Sequence, residues 1–142
     1  ELEYLVSVAG REISEDSKSI CIVHRTNAYL RRVGAVLSKA GHEVEYLTGN
    51  QSVEFDSKSI KLCTMTSIKG LQFDVVIIAG VSHGNLPLAI EEVENREEHI
   101  STERRLLYTC MTRAKQSLRM TFSGTPSPFI GEIDPALLTK AY

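Results

Sequence analysis

The chain has 142 residues, 42% hydrophobic and 24% charged, with 9 Gly, 4 Pro and no Trp, which excludes a disordered tail and fits one globular domain over residues 1–142. A chain this long buries roughly 68–70% of the surface its unfolded form exposes, so it builds a core without disulfide or metal staples, yet it leaves no room for a machine that needs two lobes. Sixteen basic residues against eighteen acidic ones leave a net charge of −2, which excludes a global basic field that recruits nucleic acid.

No apolar run of about 18 residues and no basic-then-apolar leader occurs, so neither a membrane span nor a secretory signal is expected. Cys21, Cys63 and Cys110 lie far apart in apolar surroundings with no C-x-x-C. They read as buried thiols of a cytosolic protein, and a cytoplasmic location follows. The first residue is Glu1 rather than Met, so a fragment of a longer chain is expected.

Residues 1–19 are polar, with a weak amphipathic pattern around Leu2, Leu5 and Val6 and a charged turn from Ser14 to Lys18. Ile20-Cys21-Ile22-Val23 is a short apolar run, the mark of a strand buried on both faces. Thr26 or Asn27 can cap a helix whose apolar positions Leu30, Val33, Val36, Leu37 and Ala40 follow helical spacing, with Gly41 closing it. Val44 to Leu47 and Ile60 to Met65 alternate as strands. Val75 to Ala79, the most β-branched run, is expected at the centre of the sheet. From Gly80 to about Ser101 the chain turns polar, and Glu91, Glu92, Glu94, Glu97 and Glu98 read as a solvated loop. Ser101 or Thr102 then caps a helix with the apolar stripe Leu106, Leu107, Cys110, Met111 and Ala114. Leu118 to Phe122 is a last strand, and Pro135 to Lys140 a short terminal helix. Strands alternating with helices imply a parallel α/β sheet.

In an open parallel sheet, ligands sit at the carboxyl ends of the strands, so the loops after Val23, Met65, Ala79 and Phe122 are where chemistry is expected. The sequence contains no G-x-x-x-x-G-K-[ST] and no G-x-G-x-x-G, hence no phosphate cradle of the usual kind. His24, His42, His83 and His99 show no metal-ligand spacing, and no metal site is expected. Two segments carry more information: TMTSIKGLQFDVVII, Thr64 to Ile78, a strand end followed by a polar turn and a buried strand, and ERRLLYTCMTRAK, Glu103 to Lys115, an amphipathic helix with Arg113 on the flank of its stripe. Arg104 and Arg105 also read as members of a local ion network with Glu98 and Glu103.

In this order the two segments resemble motifs V and VI of the second RecA-like domain of UvrD/Rep/PcrA-type superfamily I helicases, approximately T-x-H-x-x-K-G-L-E-F-D-x-V and E-E-R-R-L-x-Y-V-x-x-T-R-A. The stretch from Cys21 to Leu47 is similar to the strand-helix-strand before motif V, VSHGNLP to the loop after it, and TPSPFIGEI to the tail of the family's compact C-terminal domains. The resemblance therefore covers about Ser19 to Ile133. It implies a RecA-like, P-loop NTPase-type parallel sheet flanked by helices: a second motor domain without a Walker A loop.

The resemblance further implies ATP with Mg²⁺, bound jointly with an N-terminal RecA-like domain of the same parent chain, and single-stranded or duplex DNA as partner, with 3′-to-5′ movement. Arg113 matches the arginine finger, and Lys69, Gly70 and Gln72 the nucleotide side of motif V. Thr64, Thr66 and Ser67 are the candidates for the DNA strand. Two positions depart from the pattern: Gln72 replaces a Glu that binds the ribose, and Thr66 replaces a His. The alternative reading is a helicase-like domain with weakened catalysis that binds DNA or a protein partner. A third, an unrelated flavodoxin-like ligand-binding domain, is disfavoured by the match across both motifs.

Overall fold

Among the described residues five strands stand side by side, all parallel, in the order β2-β3-β1-β4-β5. The computed structural model describes residues 1–14, 18–48, 58–90 and 94–140. In chain order these form α1 (Leu2–Ser14), β1 (Ile20–His24), α2 (Asn27–Lys39), β2 (Val44–Tyr46), β3 (Ile60–Thr64), β4 (Phe73–Ile78), α3 (Arg96–Met111) and β5 (Ala114–Met120). Two 3₁₀ turns, Pro128–Glu132 and Pro135–Leu137, close the chain. The expected charged turn lies largely outside the described residues, as do Glu91 and Glu92.

Alternation along the strands divides the core into two layers. Ile20, Ile22, Ile60, Leu62, Val75 and Ile77 face α1 and α2, meeting Leu5, Val8, Leu30, Val33 and Leu37. Cys21, Val23, Cys63, Val76 and Ile78 face the other way, toward Leu107 and Cys110 of α3 and Phe129. Each fully buried branched side chain contributes about 1.5–3 kcal/mol, and continuous apolar strands are the pattern a sheet covered on both faces requires. The central strand is β1 rather than β4. Both lie between two neighbours, so hydropathy alone does not rank them.

Four elements differ from the sequence reading. The polar first segment is α1, whose buried stripe of Leu5, Val8 and Ala9 packs on the sheet. Helix α3 begins at Arg96 rather than after Ser101: Asn95 caps it by accepting the Glu98 N–H at 3.1 Å, and Glu97 and Glu98 occupy its first turn. Those carboxylates favour the positive helix end, so the acidic residues start a helix instead of filling a loop. Strand β5 begins at Ala114, four residues earlier than expected; as an edge strand it leaves Lys115 and Gln116 exposed, which hides its period. The terminal helix is reduced to the 3₁₀ turn Pro135–Leu137.

Candidate functional site

The candidate residues divide between two opposite edges of the sheet. At the carboxyl edge, β3 ends in a turn closed by the Ser67 N–H to the Thr64 carbonyl, 3.0 Å. The Thr64 hydroxyl lies 3.1 Å from that of Thr66 and donates to that of Ser67 at 2.9 Å. Met65 N–H donates to the His24 carbonyl at 3.0 Å, hanging this hydroxyl cluster beside the end of β1. Neutral hydroxyls both donate and accept, which suits phosphate oxygens without setting base preference.

His24 closes the same edge from inside. Thr26 sits at the N-cap of α2, but its hydroxyl makes no cap bond and lies 3.3 Å from His24 Nδ1, while its N–H donates to that nitrogen at 2.9 Å. The neutral ring therefore carries its proton on Nε2, which is buried without a partner among the described residues. Burial pushes the His24 pKa below its ordinary value, against the smaller opposing effects of the Thr26 carbonyl and Glu1. The ring stacks on Tyr29 with centroids 4.1 Å apart. Gly80, at φ +70°, completes the fit: a Cβ there stands 2.4 Å from His24 Nε2. Gly80→Ala therefore combines a left-handed backbone with a collision, and a loss of about 1–3 kcal/mol is expected in thermal or urea melts. Beside Gly80 a cleft of about 540 Å³ opens, walled by Arg32, Ser82, His83, Asn85 and Ser123 together with Glu1 and Glu3.

From the hydroxyl turn the chain crosses back over the α3 face, with Ile68 fully buried, to reach the amino end of β4. Gly70 takes φ +83° with nothing within 4 Å of a Cβ, so the turn's backbone, not a close neighbour in this chain, demands glycine. Lys69, Gly70 and Gln72 are exposed. Phe73 N–H donates to the Arg113 carbonyl at 2.9 Å, and Phe73 pairs with Ala114 in the β4–β5 register. The backbones of Gln72 and Arg113 are thereby brought alongside each other at the amino edge, away from the carboxyl-end loops where chemistry was expected. The reason is topological: residues 66–72 are a crossover, and motif V spans both edges.

Arg113 lies beyond α3, whose C-cap is Thr112, rather than within the helix. Its N–H donates to the Cys110 carbonyl at 3.1 Å. Among the described residues its guanidinium donates to the Thr112 hydroxyl alone, from Nε at 3.3 Å and Nη2 at 3.1 Å, and that hydroxyl is itself aimed by the Thr109 carbonyl at 2.7 Å. Among the described residues Arg113 makes no ion pair. A half-buried, fixed cation with donors to spare is equipped to meet an anion.

The ion pairs of α3 are not the local ones expected. Arg104 grips Glu132 with two bonds of 2.8 and 2.9 Å and covers the Phe129 ring, while Arg105 donates to the Ser101 hydroxyl. Glu103, almost fully buried, receives Arg25 Nε at 3.0 Å, Arg25 Nη2 at 2.9 Å and the Leu88 N–H at 3.0 Å. Asp74 of the motif V segment accepts the Ser19 N–H at 2.9 Å and gives its own N–H to the Ser19 hydroxyl at 2.9 Å, tying the starts of β1 and β4. The sequence reading missed these three anchors, since nothing local marks a partner as distant as 78 positions.

The three cysteines are free and buried as expected. Cys21 and Cys63 sulfurs are 3.5 Å apart, and Cys110 donates to the Met65 carbonyl. Burial pushes the Cys110 thiol up to about 12 and that of Cys21 well above the ordinary range, so neither serves as a nucleophile near neutrality.

The described residues form a parallel sheet with helices on both faces, an α/β fold that sets Arg113 at its amino edge. The family model of the UvrD-like helicase C-terminal domain matches residues 47–125, more than half of the chain, and the chain belongs to that family. It is 38% identical to DNA helicase II of Escherichia coli K12 over 88 residues, 53% of this chain and 12% of that protein. It is likewise 38% identical to the ATP-dependent DNA helicase PcrA of Leuconostoc citreum over 95 residues, 59% of this chain and 12% of the relative. The chain thus spans only about a tenth of these curated relatives. Among solved structures it matches the C-terminal domain of a possible DNA helicase from Lactobacillus plantarum WCFS1, with a TM-score of 0.72 at 21% identity over 96% of this chain and 74% of that one, a likeness of fold. No helix among the described residues is long and apolar enough to cross a membrane.

Proposed function

We propose that the chain is the second motor domain of an ATP-dependent DNA translocase, supplying an arginine finger and part of the single-strand track to a site shared with a preceding RecA-like domain. The observation that supports this reading is the Phe73 N–H bond to the Arg113 carbonyl, which sets Gln72, the residue before Phe73, near Arg113 at the amino edge, with the guanidinium held by Thr112 and in no ion pair among the described residues. Arg113 stabilises the negative charge that develops on the transferred phosphoryl group, where a forked, permanently charged donor set is most effective. Gln72 offers its amide carbonyl to a ribose hydroxyl, and Lys69 and Gly70 lie on the same turn. Mg²⁺ and the phosphate loop are assigned to the other domain.

Thr64, Thr66 and Ser67 take phosphate oxygens of the strand at the carboxyl edge. With a net charge of −2, strand affinity is shared with the other lobe. Movement is assigned the 3′-to-5′ direction and follows from closing and opening of the cleft over the nucleotide. The test is ATP turnover with and without single-stranded DNA, by the parent chain and by these 142 residues alone. Stimulated turnover is expected in the first and none in the second; sustained hydrolysis by the purified domain overturns the shared site.

Gln72 bears on the alternative of a domain with weakened catalysis. A charged acceptor improves a hydrogen bond by about 1 kcal/mol over a neutral one, so Gln72→Glu in the parent chain is expected to lower KM for ATP about fivefold. Because a ribose contact is made equally before and during reaction, kcat stays unchanged. A rise in kcat instead assigns Gln72 to the chemical step and supports the weakened-catalysis reading.

A further inference from the structure

Helix α3 is fastened to the carboxyl edge midway along its length and leads to Arg113 at the amino edge. Halfway along it, the Glu103 carboxylate binds two separate loops. Arg25, directly after β1, approaches with both Nε and Nη2, and Leu88, in the segment after β4, donates its N–H to the same oxygen that Nε reaches. His99, one turn earlier on α3, lies 2.8 Å from the Leu88 carbonyl through Nε2, so that peptide is held from both sides by the same helix. The carboxylate is buried, with 4% side-chain exposure against 21% for Arg25. Charge-assisted, two-pronged bonds in such surroundings are strong and directional. The loops that end β1 and β4 therefore cannot shift against α3 without breaking these bonds. At its far end α3 holds Arg113 through the Cys110 carbonyl.

We infer that Glu103 is a positioning residue that fastens the carboxyl-edge loops, through Arg25 and the Leu88 N–H, to the helix that leads into Arg113, so that a strand bound at that edge acts on the arginine. This rests on the function proposed above. Glu103 touches neither nucleotide nor DNA; its effect is a coupling between two sites, expressed as a ratio of activities rather than as an activity.

The experiment measures ATP turnover of the parent chain with and without single-stranded DNA. Glu103→Gln places an amide N–H against the Arg25 donors. The double variant Arg25→Met/Glu103→Met replaces the pair by apolar side chains of similar length, a change that commonly preserves the fold. In both, the stimulation ratio is expected to fall about fivefold or more, while turnover without DNA and KM for ATP stay within about twofold. An unchanged ratio in a folded variant overturns the inference, as does an equal fall in turnover with and without DNA, which marks a general structural role. If Glu103→Gln does not fold, the double variant decides alone. Failure of DNA to stimulate the unmodified chain is a different result, and it removes the functional reading itself.

Discussion

In a chain that joins this domain to its preceding motor domain, Arg113→Ala is expected to reduce DNA-stimulated ATP turnover about 10³–10⁵-fold, equivalent to roughly 4–7 kcal/mol of lost transition-state stabilisation. The size follows from what the side chain does in the free domain, which is almost nothing. Its only described side-chain partner is the Thr112 hydroxyl, so removing it leaves the fold intact. The links that position the segment, Arg113 carbonyl to Phe73 N–H and Arg113 N–H to the Cys110 carbonyl, are main-chain bonds that alanine retains. ATP affinity, followed with a fluorescent analogue, is expected to change far less than turnover, because the charge the guanidinium serves develops during transfer. Arg113→Lys recovers little, since a point charge on a flexible stem lacks the planar fork. Turnover within about tenfold of the unmodified chain removes Arg113 from the reaction.

What the sequence revealed, and what it hid, separates along physical lines. Strands β1 and β4 were legible because burial on both faces demands unbroken apolar runs, and α2 because its stripe follows the helical period. The first half of α3 was not, since from Arg96 to Thr102 it is exposed or half-exposed and carries Ile100 as its one aliphatic residue. Only the Asn95 cap and the acidic first turn signal its start. Strand β5 was shifted because an edge strand need not alternate cleanly. Lys69, Gly70, Gln72 and Arg113 could be named from two local patterns, but their edge could not. That required knowing that residues 66–72 are a crossover and that β4 and β5 are adjacent and parallel. The anchors Arg25–Glu103, Arg104–Glu132 and Ser19–Asp74 join residues far apart in sequence, and such pairing is a property of the folded chain alone.

The largest stability effect is expected at the first of those anchors. Glu103 is buried, and its carboxyl is subject to two opposed influences. Burial alone raises its pKa, but the bonds from Arg25 and Leu88 outweigh that and hold it below the ordinary value of 4.5. Arg25→Met removes the charged partner and leaves a buried carboxylate with one backbone donor, a change that costs about 3–5 kcal/mol, or a fall in Tm of roughly 10–20 °C for a domain of this size. A carboxyl whose folded pKa is depressed stabilises the fold above its unfolded pKa and loses that contribution as pH falls through the folded one. The unmodified domain therefore loses this stabilisation on acidification below 4.5. In Arg25→Met the unpaired carboxyl has its pKa raised by burial instead and is neutralised sooner. The Tm gap between the two proteins is accordingly widest near neutrality and narrows toward about pH 4. Arg25→Met/Glu103→Met recovers most of the loss at neutral pH, because no charge is left without a partner and the half-buried Leu88 can turn its freed N–H to water. A gap that stays constant from about pH 7 to pH 4 contradicts the electrostatic account and assigns the loss to packing of the Arg25 stem.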